Sequence, residues 1–170
     1  RAQAFGDLGR VLQDLGRETE AEQALSSAIH IGGNDPQVMA KVHHHRFQGA
    51  TARLSLDEAR PHLLQELECL KQCGDQAGYA RAHIQLGLLD LVQHQPTEAA
   101  PHFTEARNVC REAGLSSIEA HALTLGGVAA RLSGDFGSAL DAFTEAADAF
   151  VHRKEGNMRD VKKKLFLAMH

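Results

Sequence analysis

GDQAGYARAHIQLGLLDLVQHQPTEAAPHFTEA, residues 74–106, returns as GLSSIEAHALTLGGVAARLSGDFGSALDAFTEA, residues 114–146, 40 positions later. Gly74, Ala80, Ala82, Gly87, Ala99, Phe103, Thr104, Glu105 and Ala106 recur as Gly114, Ala120, Ala122, Gly127, Ala139, Phe143, Thr144, Glu145 and Ala146. A fixed repeat of this length means a stack of supersecondary units. The small residues carry the physics. Gly87 and Ala99 stand 12 apart, as do Gly127 and Ala139, and Gly9 and Ala21. Two helices joined by a tight turn bring such positions face to face, where the missing side chains let the backbones approach. Phe103, Phe143 and Leu25 follow four residues after the alanine, and Ala106, Ala146 and Ala28 seven after it, which is one helix face. Turn residues separate the two runs at Gly16, His94 to Pro96, and Gly134 to Asp135.

The pattern Leu8-Gly9, Gly16, Ala21, Leu25, Ala28 resembles the tetratricopeptide repeat, and Leu86-Gly87, Ala99, Phe103, Ala106 match it as well. Gly127, Gly134, Phe136, Ala139, Phe143 and Ala146 match it best. A spacing of 40 resembles the long-unit variant of adaptor proteins and of sensor regions in bacterial regulators. The resemblance implies an all-α fold, a right-handed α-α superhelix of about four helix-turn-helix repeats followed by a C-terminal helix. It also implies a non-catalytic scaffold that binds another protein or peptide, or else a sensor that takes a small molecule or short signalling peptide. The carboxylate clamp of chaperone-binding relatives is not matched at the inner positions.

One solenoid domain is expected over 1–170, as repeats 1–33, 34–74, 75–114 and 115–154 and an extra helix over 155–169, in a chain read as a piece of a longer protein. The chain of 170 residues is 43% hydrophobic with no Trp and one Tyr, enough for an aliphatic, alanine-rich core. A net charge of -4 gives no reason to expect nucleic acid, since phosphate binding wants a cationic face. No apolar run suits a membrane span and no signal peptide opens the chain. Three cysteines suit a reducing, cytoplasmic setting.

In chain order, helices are expected over 1–16, 18–31, 36–54, 57–73, 75–93, 96–113, 116–133 and 135–153. Leu8, Val11, Leu12 and Leu15 form the apolar side of the first, and Asp35-Pro36 caps the third. That third helix is the least typical: Phe47 stands where other copies have Gly, with Gly49 two residues later, so the register there is expected to slip. Ser55 to Glu58 reads as a capping box. Val161, Leu165, Phe166 and Met169 make the final helix amphipathic and a route to self-association.

Signatures of catalysis and of metal or cofactor binding are missing from the pattern. His43, His44 and His45 are adjacent in a helix, so their side chains point about 100° apart and cannot close on one ion; they read as a partly exposed polar patch. Cys69, Cys73 and Cys110 read as small hydrophobes rather than a redox or metal set. Asp90 sits at a core position, with His94 as its expected local partner. Gly126-Gly127 lies within a helical run and is no phosphate loop. The Lys162–Lys164 run reads as a solvated face.

In a stack of this kind the first helix of each pair lines the concave side. The register places Gln3, Gly6, Arg10 and Gln13 there, then Lys41, His44, Gln48 and Thr51. Arg81, Ile84, Leu88 and Leu91 follow, then His121, Thr124, Val128 and Arg131. None of the 22 acidic residues falls on this stripe. The expected ligand is therefore an acidic peptide or helix, oriented by Arg10, Lys41, Arg81 and Arg131 and anchored on Ile84, Leu88, Leu91 and Val128.

Overall fold

The computed structural model describes residues 1–149. Seven complete helices alternate with tight turns: α1 (Ala2–Asp14), α2 (Glu18–Gly32), α3 (Pro36–Ala52), α4 (Leu56–Cys73), α5 (Gln76–Val92), α6 (Pro96–Glu112) and α7 (Ser116–Leu132). Residues 136–149 begin α8. No strand occurs among the described residues. Consecutive helices pack as antiparallel pairs, and α1 rests on α3 as α5 rests on α7. The molecule is an all-α solenoid. The fourth repeat is described only to residue 149, so the helix expected over 155–169 and the lysine run lie outside the described residues.

Each pair is closed by a residue in the left-handed region. Gly16, Leu54, His94 and Gly134 turn the chain within pairs, with φ of 71°, 59°, 58° and 83°, while Gly33, Gly74 and Gly114 turn it between pairs. Several helices are also started by side chains. Asp35 accepts from the Gln37 N–H at 2.9 Å with Pro36 at the first helical position, and Asp75 accepts from the Gly78 N–H at 2.9 Å. The capping box expected at Ser55 does not form, because the Ser55 side chain makes no cap hydrogen bond; its carbonyl takes the Glu58 N–H at 3.1 Å instead.

The glycine notch inferred from the small residues is present and tight, but the side chain that faces it is the large residue four positions after the expected alanine. A Cβ on Gly87 would lie 2.6 Å from Cε1 and Cζ of Phe103, and one on Gly127 would lie 2.9 Å from Cε1 of Phe143. In the first pair, a Cβ on Gly9 would meet Leu25 Cδ2 at 2.6 Å. The large side chain thus lies flat on the facing glycine, and Ala21, Ala99 and Ala139 beside it are buried.

The second pair keeps the register that was expected to slip. Phe47 and Leu63 are 16 apart, as are Gly9 and Leu25, Gly87 and Phe103, and Gly127 and Phe143. Only the sizes change, with the bulk now supplied from the first helix, and Phe47 and Leu63 share one core cluster with Ala59, Leu67 and Leu86. Gly49 makes room for a different neighbour, since its bare Cα faces the Gln13 side chain of α1, 2.6 Å from where a Cβ would be.

Core clusters follow one another along the stack. Leu12, Ala21 and Ala24 begin it, then Leu25, Ala28, Val38 and Val42. The cluster around Phe47 comes next, and then one built on Ile84, Phe103, Ala106, Cys110 and Ala122. The apolar side expected for α1 is only partly inward. Leu12 is buried, but Leu8, Val11 and Leu15 are exposed, whereas the matching Leu86 and Leu89 of α5 are covered by Leu63, Leu67 and Leu70 of α4. Leu132, Phe136 and Leu140 are exposed near the other end.

Two substitutions test the notch against simple helix propensity. Gly87→Ala should destabilise the protein by about 1–3 kcal/mol in urea denaturation, because the new methyl collides with a buried ring. Gly126→Ala, whose nearest neighbour would be Phe103 Cβ at 3.7 Å, should be neutral or gain up to about 1 kcal/mol. Equal effects would refute the close approach. Leu54 is 83% exposed and held at φ 59°, so Leu54→Gly loses no packing and should raise thermal stability by about 0.5–1 kcal/mol.

Candidate functional site

The backbones of α3 and α5 stand apart, with no Cα of one within 8 Å of a Cα of the other, although each helix packs on a first helix on its other side. The gap is floored by the second half of α4 and forms an open concavity of about 550 Å³. Gln37, Lys41 and His44 line it from α3, Glu66, Leu70 and Cys73 from α4, and Gly78, Arg81 and Gln85 from α5, with Gly74 and Asp75 at the turn. Lys41 and Arg81 are exposed and form no ion pair among the described residues.

Of the residues expected on the concave stripe, Lys41, His44 and Arg81 therefore meet around one space. Arg10 and Gln48 line a second, smaller concavity of about 380 Å³ between α1 and α3, and Arg10 is held by Asp14 at 3.1 Å. Leu88, Leu91, His121, Val128 and Arg131 line neither. His121 and Arg131 are exposed, Val128 is half-buried, and Leu91 packs against the core. Ile84 is no anchor: at 4% exposure it is part of the core formed with Ala99, Phe103 and Ala122. Leu88, at 37% exposure, is the exposed one of the four expected aliphatic anchors.

The hollow is not free of carboxylates. Glu66 reaches it from α4 and is 6% exposed, and Asp75 stands at the turn. One Glu66 oxygen accepts from His44 Nδ1–H at 3.0 Å; the other, Oε2, is buried and has no hydrogen-bond partner among the described residues. The repeat itself carries the signal. Ala28, Ala106 and Ala146 lie seven residues after Ala21, Ala99 and Ala139, and the same step from Ala59 lands on Glu66. A stripe drawn only on first helices passes it by.

The histidine run also differs from expectation. His43 and His45 are buried, at 6% and 8%, and only His44 is open enough to border the groove. His43 stacks on His62 of α4 with ring centres 5.9 Å apart. One repeat on, His83 and His102 stand at the matching positions with Nδ1 atoms 3.1 Å apart, one ring donating its N–H to the other. Burial, reinforced by Arg46 and His62, pushes the His43 pKa down to about 4, and burial with His102 does the same for His83. Burial also holds His62 and His102 below the ordinary imidazole value.

Asp90, 2% exposed, takes partners across helices rather than the expected His94. Arg60 of α4 donates to its Oδ1, and His102 Nε2 lies 3.6 Å from its Oδ2. Arg60 also donates to Gln93 Oε1 at 3.1 Å. A core carboxylate that draws on α4, α5 and α6 together serves to join those helices. The thiols are structural as well: Cys110 is fully buried in the core, Cys69 packs against the Phe47 cluster, and Cys73 points its S–H to the Leu70 carbonyl at 3.4 Å.

No family model and no curated protein matches the sequence. Solved structures share the fold, two of which illustrate it. BtubC (BKLC) from P. vanneervenii superposes with a TM-score of 0.73 at 15% identity, over 90% of this chain and 64% of its own. A signal transduction ATPase with numerous domains and a tetratricopeptide repeat sensor, from Pyrococcus horikoshii, gives 0.77 at 16% identity, over 92% of this chain and 25% of its own. The chain thus spans less than two thirds of the first and a quarter of the second. The likeness is one of fold, an all-α helical repeat.

The buried imidazoles make stability depend on acid. His43 and His83 bind a proton more readily unfolded, at the ordinary value of 6.5, than folded, at about 4. Stability is therefore fully present above about pH 6.5 and declines as pH falls toward 4. Urea midpoints should drop between pH 7 and pH 5, and the drop should shrink in a His43→Leu, His83→Leu double variant, which installs the residue that Leu123 supplies in the fourth repeat. Parallel pH curves for both proteins would show that these rings are not the titrating groups.

Proposed function

We propose that this chain is a non-catalytic binding module that holds an acidic segment of another protein in the gap between α3 and α5, as part of a larger regulatory or signalling protein. The observation that carries this reading is the meeting of Lys41, His44 and Arg81 from two repeats around one open concavity, with both cations left unpaired among the described residues. Long-range attraction from such cations speeds encounter and fixes the register of an acidic partner. Leu88, further along α5, supplies an apolar contact for a segment that runs along the groove. No described helix is long and apolar enough to cross a membrane, and the three free cysteines suit a reducing compartment.

A short signalling peptide or small molecule is the second reading. The concavity of about 550 Å³ lies within the range of ligand pockets, and the Pyrococcus protein is described as carrying a repeat sensor. An open trough between two helices suits an extended segment better than an enclosed small molecule.

The test uses fluorescein-labelled peptides rich in Asp and Glu with spaced leucines, read by fluorescence anisotropy at several salt concentrations. Lys41→Glu with Arg81→Glu should weaken binding on the order of tenfold or more and flatten the salt dependence. Arg10→Glu, at a residue already tied to Asp14, should change little. Unchanged affinity in the first variant would reject the groove as the binding surface.

A further inference from the structure

The groove contains two buried acceptors with nothing to accept from. Glu66 Oε2 and Gln85 Oε1 are both shielded from solvent, both belong to residues that line the same concavity, and neither has a hydrogen-bond partner among the described residues. They arrive from different helices, Glu66 from α4 on the floor of the gap and Gln85 from α5. A buried carboxylate oxygen left without a donor is costly, so this arrangement asks for donors from outside the fold.

Glu66 occupies the slot that the other repeats fill with alanine: Ala28 packs against Val38 and Val42 of α3, and Ala106 against Ala122 and Ala129 of α7. An alanine there would serve the packing with no desolvated charge. His44 satisfies one oxygen from α3 and so holds the carboxylate in a fixed orientation. The remaining groups around the space divide by depth. Lys41 and Arg81 are exposed at the rim, whereas the unpaired acceptors are buried.

From this we infer that the concavity is a socket for a single guanidinium, an arginine side chain carried within the acidic segment that the rim recognises. The inference rests on the groove reading above and adds the partner's central residue. A guanidinium presents several N–H donors in one plane, so one group can serve Glu66 Oε2 and Gln85 Oε1 together and neutralise the buried carboxylate. Carboxylates on either side of that arginine then face Lys41 and Arg81. An ammonium carries the same charge with a less suitable fork, and lysine is the weaker occupant.

The experiment compares two labelled peptides, identical Asp/Glu/Leu sequences with a central arginine or its neutral isostere citrulline, on the full chain. The arginine peptide should bind about tenfold or more tightly to the wild type, as expected for a charge-assisted pair out of water. That preference should vanish in Glu66→Ala, which restores the repeat's own residue and whose fold is checked by thermal denaturation, while the citrulline peptide keeps its affinity. Equal binding of both peptides to the wild type, or a preference that survives Glu66→Ala, would overturn the socket and mean that the acceptors are served by water alone. If both peptides bind equally and still depend on Lys41 and Arg81, only the socket fails; if neither binds, the groove reading fails with it.

Discussion

Everything in this molecule depends on how closely two helices can approach. At Gly87 and Gly127 the first helix of a pair has no Cβ, and the facing phenylalanine ring lies in the space a methyl would need. The contact is large in area and needs no polar satisfaction, so it holds the pair together by dispersion and by removal of apolar surface from water. Alanines at Ala99 and Ala139 complete the approach, and a left-handed residue closes each turn at the distance this packing requires. A pair so formed still shows one apolar face. Stacking the next pair on it produces the succession of cores and, unavoidably, a curved inner side.

The second pair departs from this scheme in two places, and the groove is built there. Phe47 brings bulk to the first helix where the others have glycine, and Glu66 brings a buried acid to the second helix where the others have alanine. The backbones of α3 and α5 stand farther apart than those of α1 and α3 or of α5 and α7, and the acid lies on the floor between them. Other polar side chains inside the stack join helices, although His43, His62, His83 and Asp90 each keep one buried atom without a hydrogen-bond partner among the described residues. The His43–His62 and His83–His102 contacts join the two helices of a pair, while Asp90 binds Arg60 across pairs. In each of these the groups face one another. Glu66 and Gln85 alone among the groove-lining side chains keep a buried oxygen unpaired.

What the amino-acid sequence determined by itself was the periodic part. Steric notches, helix faces and turns obey local spacing, so the glycine notch at Gly87, the capping aspartate at Asp35 and the turn at Gly134 could be read from separations along the chain, while Phe103 as the group that fills the notch could not. Lys41, His44 and Arg81 were legible as neighbours for the same reason, since a stack carries matching positions to adjoining sites. Partners drawn from different repeats were decided only by the tertiary structure. Asp90 bonding to Arg60 rather than His94, Ile84 sinking into the core, the burial of His43 and His45, and the entry of Glu66 into the hollow all depend on distances between helices that no single period encodes. The physical reason is that spacing fixes the direction in which a side chain leaves its helix, whereas the gap it enters is set by the volumes of residues on the helices around it.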